Sequence, residues 1–214
     1  YVDGAGNAFR VKNIQFYISN VRLMREDGTE VRPSGLVETT IVEANGDRRD
    51  TMIANDIALV NRSTFSDYNL GTFVTEGKFT QIKFDLGLQS LANQALPSSL
   101  PTGHPLRASG MYVNADTGYV FNRLEWFNSA AVSDTTTTLL KVATEQYRRE
   151  VTLSIAGSGN VLEGFNVRIR LRINYLTWFE NVNLKSDPPA TLATKIMNNA
   201  ANSFSVVAVE LETQ

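Results

Sequence analysis

A chain of 214 residues that is 43% apolar and 20% charged has enough of each to bury a sizeable core under a solvated surface, which excludes an intrinsically disordered protein. A net charge of −2, with Lys and Arg scattered, offers no basic face for a polyanion, so no nucleic-acid partner is expected. The absence of cysteine excludes disulfides, thiolate metal sites and cysteine nucleophiles, and no apolar run approaches the roughly 18 residues of a membrane-crossing helix, so no transmembrane segment is expected.

In chain order, Tyr1 to Asn7 puts two glycines among Asp3 and Asn7. Those side chains are of a type calcium loops use, but so few oxygen donors point to a turn instead. Phe9 to Met24 carries apolar residues at Phe9 and Val11, then, one residue out of step, at Ile14, Phe16 and Ile18, and again at Val21 and Leu23. This is strand periodicity interrupted by bulges. Glu26-Asp27-Gly28-Thr29 predicts a tight turn with Glu30-Val31-Arg32 returning. Between Pro33 and Asn69 only short apolar pieces recur (Leu36-Val37, Ile41-Val42, Ile57 to Val60), with Asn45 to Asp50 as an exposed loop tip. Phe73-Val74 and Phe79 to Leu86, bracketing Glu76-Gly77, predict another hairpin, and Leu88 to Pro105 is a loop longer than a connection requires.

Residues His104 to Trp126 form the centre of the argument. The Asn-Ala-Asp-Thr-Gly run ending at Gly118 is turn chemistry, and Gly118 to Trp126 alternates, with Tyr119, Phe121 and Arg123 on one face and Val120, Leu124 and Trp126 on the other. Asn128 to Thr138 is a low-complexity loop, Leu139 to Gln146 a short strand or helical turn, and Arg148 to Ile155 a strand closed by Gly157 to Asn160. From Phe165 to Tyr175 odd positions are expected to face inward; Arg168, Arg170 and Arg172 on the even face form either an anion-binding stripe or, more commonly, a solvated face paired with acids of a neighbouring strand. Asp187 as N-cap and Pro188 in the first turn predict a helix whose buried face holds Leu192, Ile196, Asn199, Ala200 and Phe204, followed by a final strand, Ser205 to Leu211. Trp126 and Trp178 suit core or sandwich-edge packing, and Trp178-Phe179 also suits an exposed contact patch. The reading is one domain over residues 1–214, mainly β, an antiparallel β-sandwich of Greek-key or immunoglobulin-like type with one short C-terminal helix.

Histidine-based catalysis has a single possible anchor, His104, and no nucleophile elbow or phosphate-cradling glycine loop accompanies it. A carbohydrate-acting enzyme would need two facing carboxylates, which spacing alone does not select. Among metals copper is the one to weigh, because it accepts imidazole and thioether: His104 and Met111 flank a turn, with Met24, Met52 and Met197 as the other thioethers. The same pair also reads as a surface histidine before proline and a core methionine.

Four blocks in order resemble the MbnP-like family, periplasmic or surface β-sandwich proteins with a methanobactin-associated copper-binding member. They are Phe16 to Leu23 with Asp27-Gly28; Lys78 to Phe84 followed by Leu86-Gly87-Leu88; His104-Pro105-Leu106 with Gly110-Met111-Tyr112, Gly118 to Phe121 and Leu124-Glu125; and Ala193 to Asn199 with Phe204-Ser205-Val206 and Val209. The resemblance implies copper binding beside a dihaem cytochrome-c-peroxidase-like partner, which in some members oxidises a tryptophan to kynurenine. This chain departs from the pattern at Val113 and Ala115, where the family usually has Trp, and at Ala208 and Glu210, where it often has His. Of the implied copper-site residues, His104 and Met111 remain.

The expectation is therefore a non-enzymatic, extracytoplasmic interaction or assembly module with a degenerate copper site and a protein partner, either a dihaem c-type cytochrome or a larger surface assembly. No cofactor other than copper is expected. The alternative is a copper-binding periplasmic protein working with the dihaem partner. A start at Tyr1 rather than Met leads to the further expectation of a removed signal sequence and a periplasmic, cell-surface or extracellular location.

Overall fold

The computed structural model describes residues 1–43, 45–74, 76–155 and 159–213. Its strands are β1 (Arg10–Arg25), β2 (Glu30–Val31), β3 (Leu36–Val42), β4 (Arg48–Ala54), β5 (Ala58–Asn61), β6 (Gly77–Leu86), β7 (Tyr112–Asn114), β8 (Gly118–Phe127), β9 (Thr137–Ala143), β10 (Arg149–Ser154), β11 (Asn160–Val161), β12 (Phe165–Ile173) and β13 (Phe204–Thr213). Two helices join them, α1 (Ser90–Asn93) and α2 (Pro189–Ala201).

The long strand β1 organises the main sheet, pairing antiparallel with β2, β5, β6 and β8. Its 16 residues do not keep one phase. Against β8, Val11 pairs with Trp126 and Asn13 with Glu125, so Lys12 is an extra residue. Against β6, Ser19 pairs with Asp85 and Arg22 with Lys83, leaving a second extra residue at Asn20-Val21, where Asn20 has φ of 55°. Each insertion moves the inward set by one position, so that Phe9, then Ile14, Phe16 and Ile18, then Val21 and Leu23 all enter one core. Those are the two slips in the apolar pattern of the sequence.

That core is the inside of the sandwich. Leu124 and Trp126 of β8, Phe79, Ile82, Phe84 and Leu86 of β6, and Ile196, Met197 and Ala200 of α2 are buried in it, and Val206 and Val209 of the β12–β13 ribbon pack against it. The alternate side chains of β1 and β8, Tyr17, Tyr119 and Phe121, enter a second apolar cluster on the opposite face. Val120 joins this second cluster rather than facing Leu124 and Trp126, because a bulge between Val120 and Asn122 changes the phase of β8.

Other expectations need correction. Phe73-Val74 is not a strand; β6 starts at Gly77 and is joined there by β11, so the partner of Gly77 is Val161, far along the chain. The stretch from Pro33 holds a regular hairpin, β3 with β4, whose second strand takes up Arg48 to Asp50 of the expected loop tip. Pro188, not Asp187, occupies the N-cap of α2 and makes no side-chain capping bond. Two consecutive prolines remove N–H groups that a cap would serve, and Pro189 suits the first helical turn. Asp187 instead accepts the Asn183 N–H (2.8 Å) and holds Lys195 Nζ at 2.9 Å. Phe204 opens β13 rather than closing the helix face, and Trp178 and Phe179 are core residues, not a contact patch. In the expected closing turn of β10, residues 156–158 lie outside the described residues. On β12 the odd residues from Val167 to Ile173 do pack inward, although Phe165 is exposed. Arg168 pairs with Glu212 and Asp67, and Arg170 with Glu210, so these two arginines form a solvated, acid-paired face.

Candidate functional site

The long segment after β6 folds back over the second face of the main sheet. Gly87, at φ of 114°, starts it and donates its N–H to Tyr17 O at 2.9 Å. Leu88, Ala92, Ala95, Leu100, Leu106 and Met111 then cover Tyr17, Tyr119, Val120 and Phe121. Polar straps fix this cover: Tyr119 Oη donates to Ala95 O (2.9 Å), Tyr17 Oη to Pro105 O (3.2 Å) and Arg107 Nη1 to Leu100 O (2.8 Å), while Asn93 Oδ1 accepts the Tyr119 N–H at 2.8 Å. Burial pushes both tyrosine hydroxyls well above their ordinary range, so both stay protonated and keep the O–H that each of these bonds uses. The expected long loop is therefore a packed layer of the fold.

His104 and Met111 both belong to this layer. His104 N–H donates to Pro101 O at 3.1 Å, and its side chain caps the short helical turn 105–107, Nδ1 accepting the Leu106 N–H at 3.2 Å. Burial holds the imidazole below its ordinary pKa, so the ring is neutral at pH 7. With Nδ1 an acceptor, the single ring proton belongs on Nε2, which is buried without a partner among the described residues. Met111 is fully buried in the apolar cluster.

As folded, this pair does not fit a copper ion. A neutral imidazole binds metal through its unprotonated nitrogen and donates from the other one. Here the unprotonated nitrogen is engaged by a backbone amide and the other carries the proton. Among the described residues no three His, Asp or Glu side chains converge as a metal cluster. Val113 and Ala115 are exposed on β7 and in the turn after it. Ala208 and Glu210 lie on β13, whose neighbours Val206 and Val209 pack on the first core, across the main sheet from Leu106 and Met111. Asp3 is likewise a structural acid. Burial raises its pKa, but the Asn7 side chain and the N–H groups of Leu184, Asn7 and Ala5 outweigh that and hold it below its ordinary range. Those donors make Asp3 a turn-former, not a calcium ligand.

A polar cluster with no obvious sequence signal lies at the second bulge of β1. Asp85, 2% exposed, accepts from Asn20 Nδ2 (3.1 Å) and Arg22 (3.3 Å) and pairs with Arg148; Arg22 also reaches Glu150 at 2.8 Å. Asp56 Oδ2 takes the Val21 N–H at 2.8 Å, a donor at the bulge. Asp56 also lines a cavity of about 390 Å³ with Asn20, Arg32, Leu36 and Ala54. The available hint was charge inside apolar runs, as in Val21-Arg22-Leu23 and Phe84-Asp85-Leu86. Only the β1–β6–β10 pairing turns that hint into a cluster.

Sheet, ribbon and helix together define an antiparallel β-sandwich protein with an ordered layer on its outer face. The chain belongs to the MbnP family, whose model matches residues 1–198. Among solved structures it is similar to MbnP from Methylosinus trichosporium, at 16% identity over 88% of this chain and 71% of that one, with a TM-score of 0.46. No curated protein matches it.

Proposed function

We propose that this MbnP-family chain is a non-enzymatic, extracytoplasmic interaction or assembly module in which the copper site of the family has been lost. The observation that carries this reading is the bond from the Leu106 N–H to His104 Nδ1, which engages the one unprotonated nitrogen of the sole imidazole. Substitution at Val113, Ala115, Ala208 and Glu210 of the residues implied by the family resemblance supports it. The copper-carrier reading has one observation in its favour, the partnerless Nε2 of His104. A metal could take that nitrogen if the Leu106 bond broke and the proton moved to Nδ1.

Copper loading of the purified protein under reducing and oxidising conditions, followed by desalting and metal analysis, separates the two. Well below one equivalent retained supports the module. Stoichiometric copper that His104→Asn abolishes would replace it with the carrier.

A further inference from the structure

Two buried aspartates flank Asn20, and they are treated differently. Asp85 has two guanidinium partners, Arg22 and Arg148. Asp56, 6% exposed, is held by the backbone N–H of Val21, and the guanidinium that shares its cavity, Arg32, is turned to Asn20 Oδ1 and to Glu30 at 3.7 Å. A buried carboxylate served by amides alone retains much of its desolvation cost, which an incoming cation would offset. Burial accordingly raises the Asp56 carboxyl above its ordinary range, against the hydrogen bonds from Val21, its own N–H and Asn20 and the charge of Arg32.

The space beside Asp56 has a form that suits a particular ligand. Its volume of about 390 Å³ is at the small end of ligand pockets, typically about 300–1,000 Å³. Leu36 and Ala54 give it an apolar wall, with Leu36 63% exposed and so without a protein neighbour over most of its surface. Arg32, its side chain 54% exposed, brings a guanidinium with N–H groups to spare. Asn20, at φ of 55°, takes the left-handed conformation that asparagine tolerates, and this turn of the backbone at the bulge sets the residue in the cavity wall.

We propose that this cavity binds a small zwitterion, an α-amino acid with an aliphatic side chain, its ammonium on Asp56, its carboxylate on Arg32 and its side chain against Leu36 and Ala54. A simple amine would make no use of the spare N–H groups of Arg32, and a simple carboxylate would face the buried Asp56. The proposal is independent of the copper reading, since none of the contacts it assigns uses His104 or Met111, although Gln89 of the layer that holds them also lines the cavity.

Isothermal titration calorimetry on the whole chain tests it, with L-leucine as probe and isoamylamine and 4-methylvalerate as its two halves. Each half lacks one charge-assisted contact, so each should bind at least about 10-fold more weakly than L-leucine. Arg32→Ala and Asp56→Asn should weaken L-leucine by a similar factor. Asn at position 56 keeps an acceptor for the Val21 N–H, and the exposed Arg32 supplies a second variant that does not depend on the fold tolerating the first. Absence of L-leucine binding to the native chain, equal binding of either half, or unchanged binding in the Arg32→Ala variant would overturn the proposal.

Discussion

Nδ1 of His104 accepts the backbone N–H of Leu106 at 3.2 Å, and that bond decides where the ring can hold its proton. Burial depresses the imidazole below its ordinary value of 6.5, so the unfolded chain takes up the proton first as pH falls. The stability tied to the neutral ring is fully present above about pH 6.5 and is lost as pH drops through the lower folded value. His104→Asn keeps an acceptor at this capping position and does not titrate. Urea unfolding from pH 7 to pH 5 should show the native chain losing stability relative to this variant. Parallel pH profiles would refute the assignment.

Asp85 is the acid on which Arg22 and Arg148 both depend. Asp85→Ala leaves Arg22, 7% exposed, without its buried partner and should cost about 3–5 kcal/mol in chemical denaturation. Glu150, whose side chain is half exposed, pairs with the same arginine, yet Glu150→Ala should cost no more than about 1 kcal/mol. Similar losses in the two variants would mean that burial does not govern this network.

Asn122 lies in the main core with Nδ2 3.6 Å from Met197 Sδ and with Oδ1 lacking a partner among the described residues. A buried unsatisfied carbonyl costs about 1–3 kcal/mol, so Asn122→Leu should leave stability unchanged or raise it within that range. A loss above about 1 kcal/mol would show that the amide makes a contact the apolar side chain cannot replace.

Gly28 and Gly118 both have positive φ, at 84° and 75°, but differ in surroundings. An added Cβ meets nothing within 4 Å among the described residues at Gly28, whereas at Gly118 it would overlap the backbone oxygen of Asn93. Gly28→Ala should therefore cost about 1–2 kcal/mol from backbone conformation alone. Gly118→Ala should cost at least about 1 kcal/mol more, because α1 must shift. Equal melting temperatures for the two variants would rule out the close approach of α1 to the turn.

How much was legible in the sequence varies with the range of the interactions involved. The two phase slips between Phe9 and Leu23 predict the bulges of β1, because side chains alternate along a strand whatever its partners are. The arginines at 168 and 170 likewise predict an outward face, since the odd residues of β12 supply its core contacts. The hairpin expected around Glu76-Gly77 was not there, because a turn signal names two neighbouring segments while β6 found β11 from far along the chain.

The sequence by itself determined a mainly β antiparallel sandwich, its bulged central strand, a closing helix and strand, and the family to which they belong. Tertiary structure alone decided that the long segment after β6 would become a packed layer, that His104 Nδ1 would meet a backbone amide, and that Asn20, Asp56 and Asp85 would stand side by side. The reason is physical: alternation and turn chemistry are carried by adjacent residues, whereas the partner of a buried charge or a ring nitrogen comes from whichever distant segment the packed sheets bring against it.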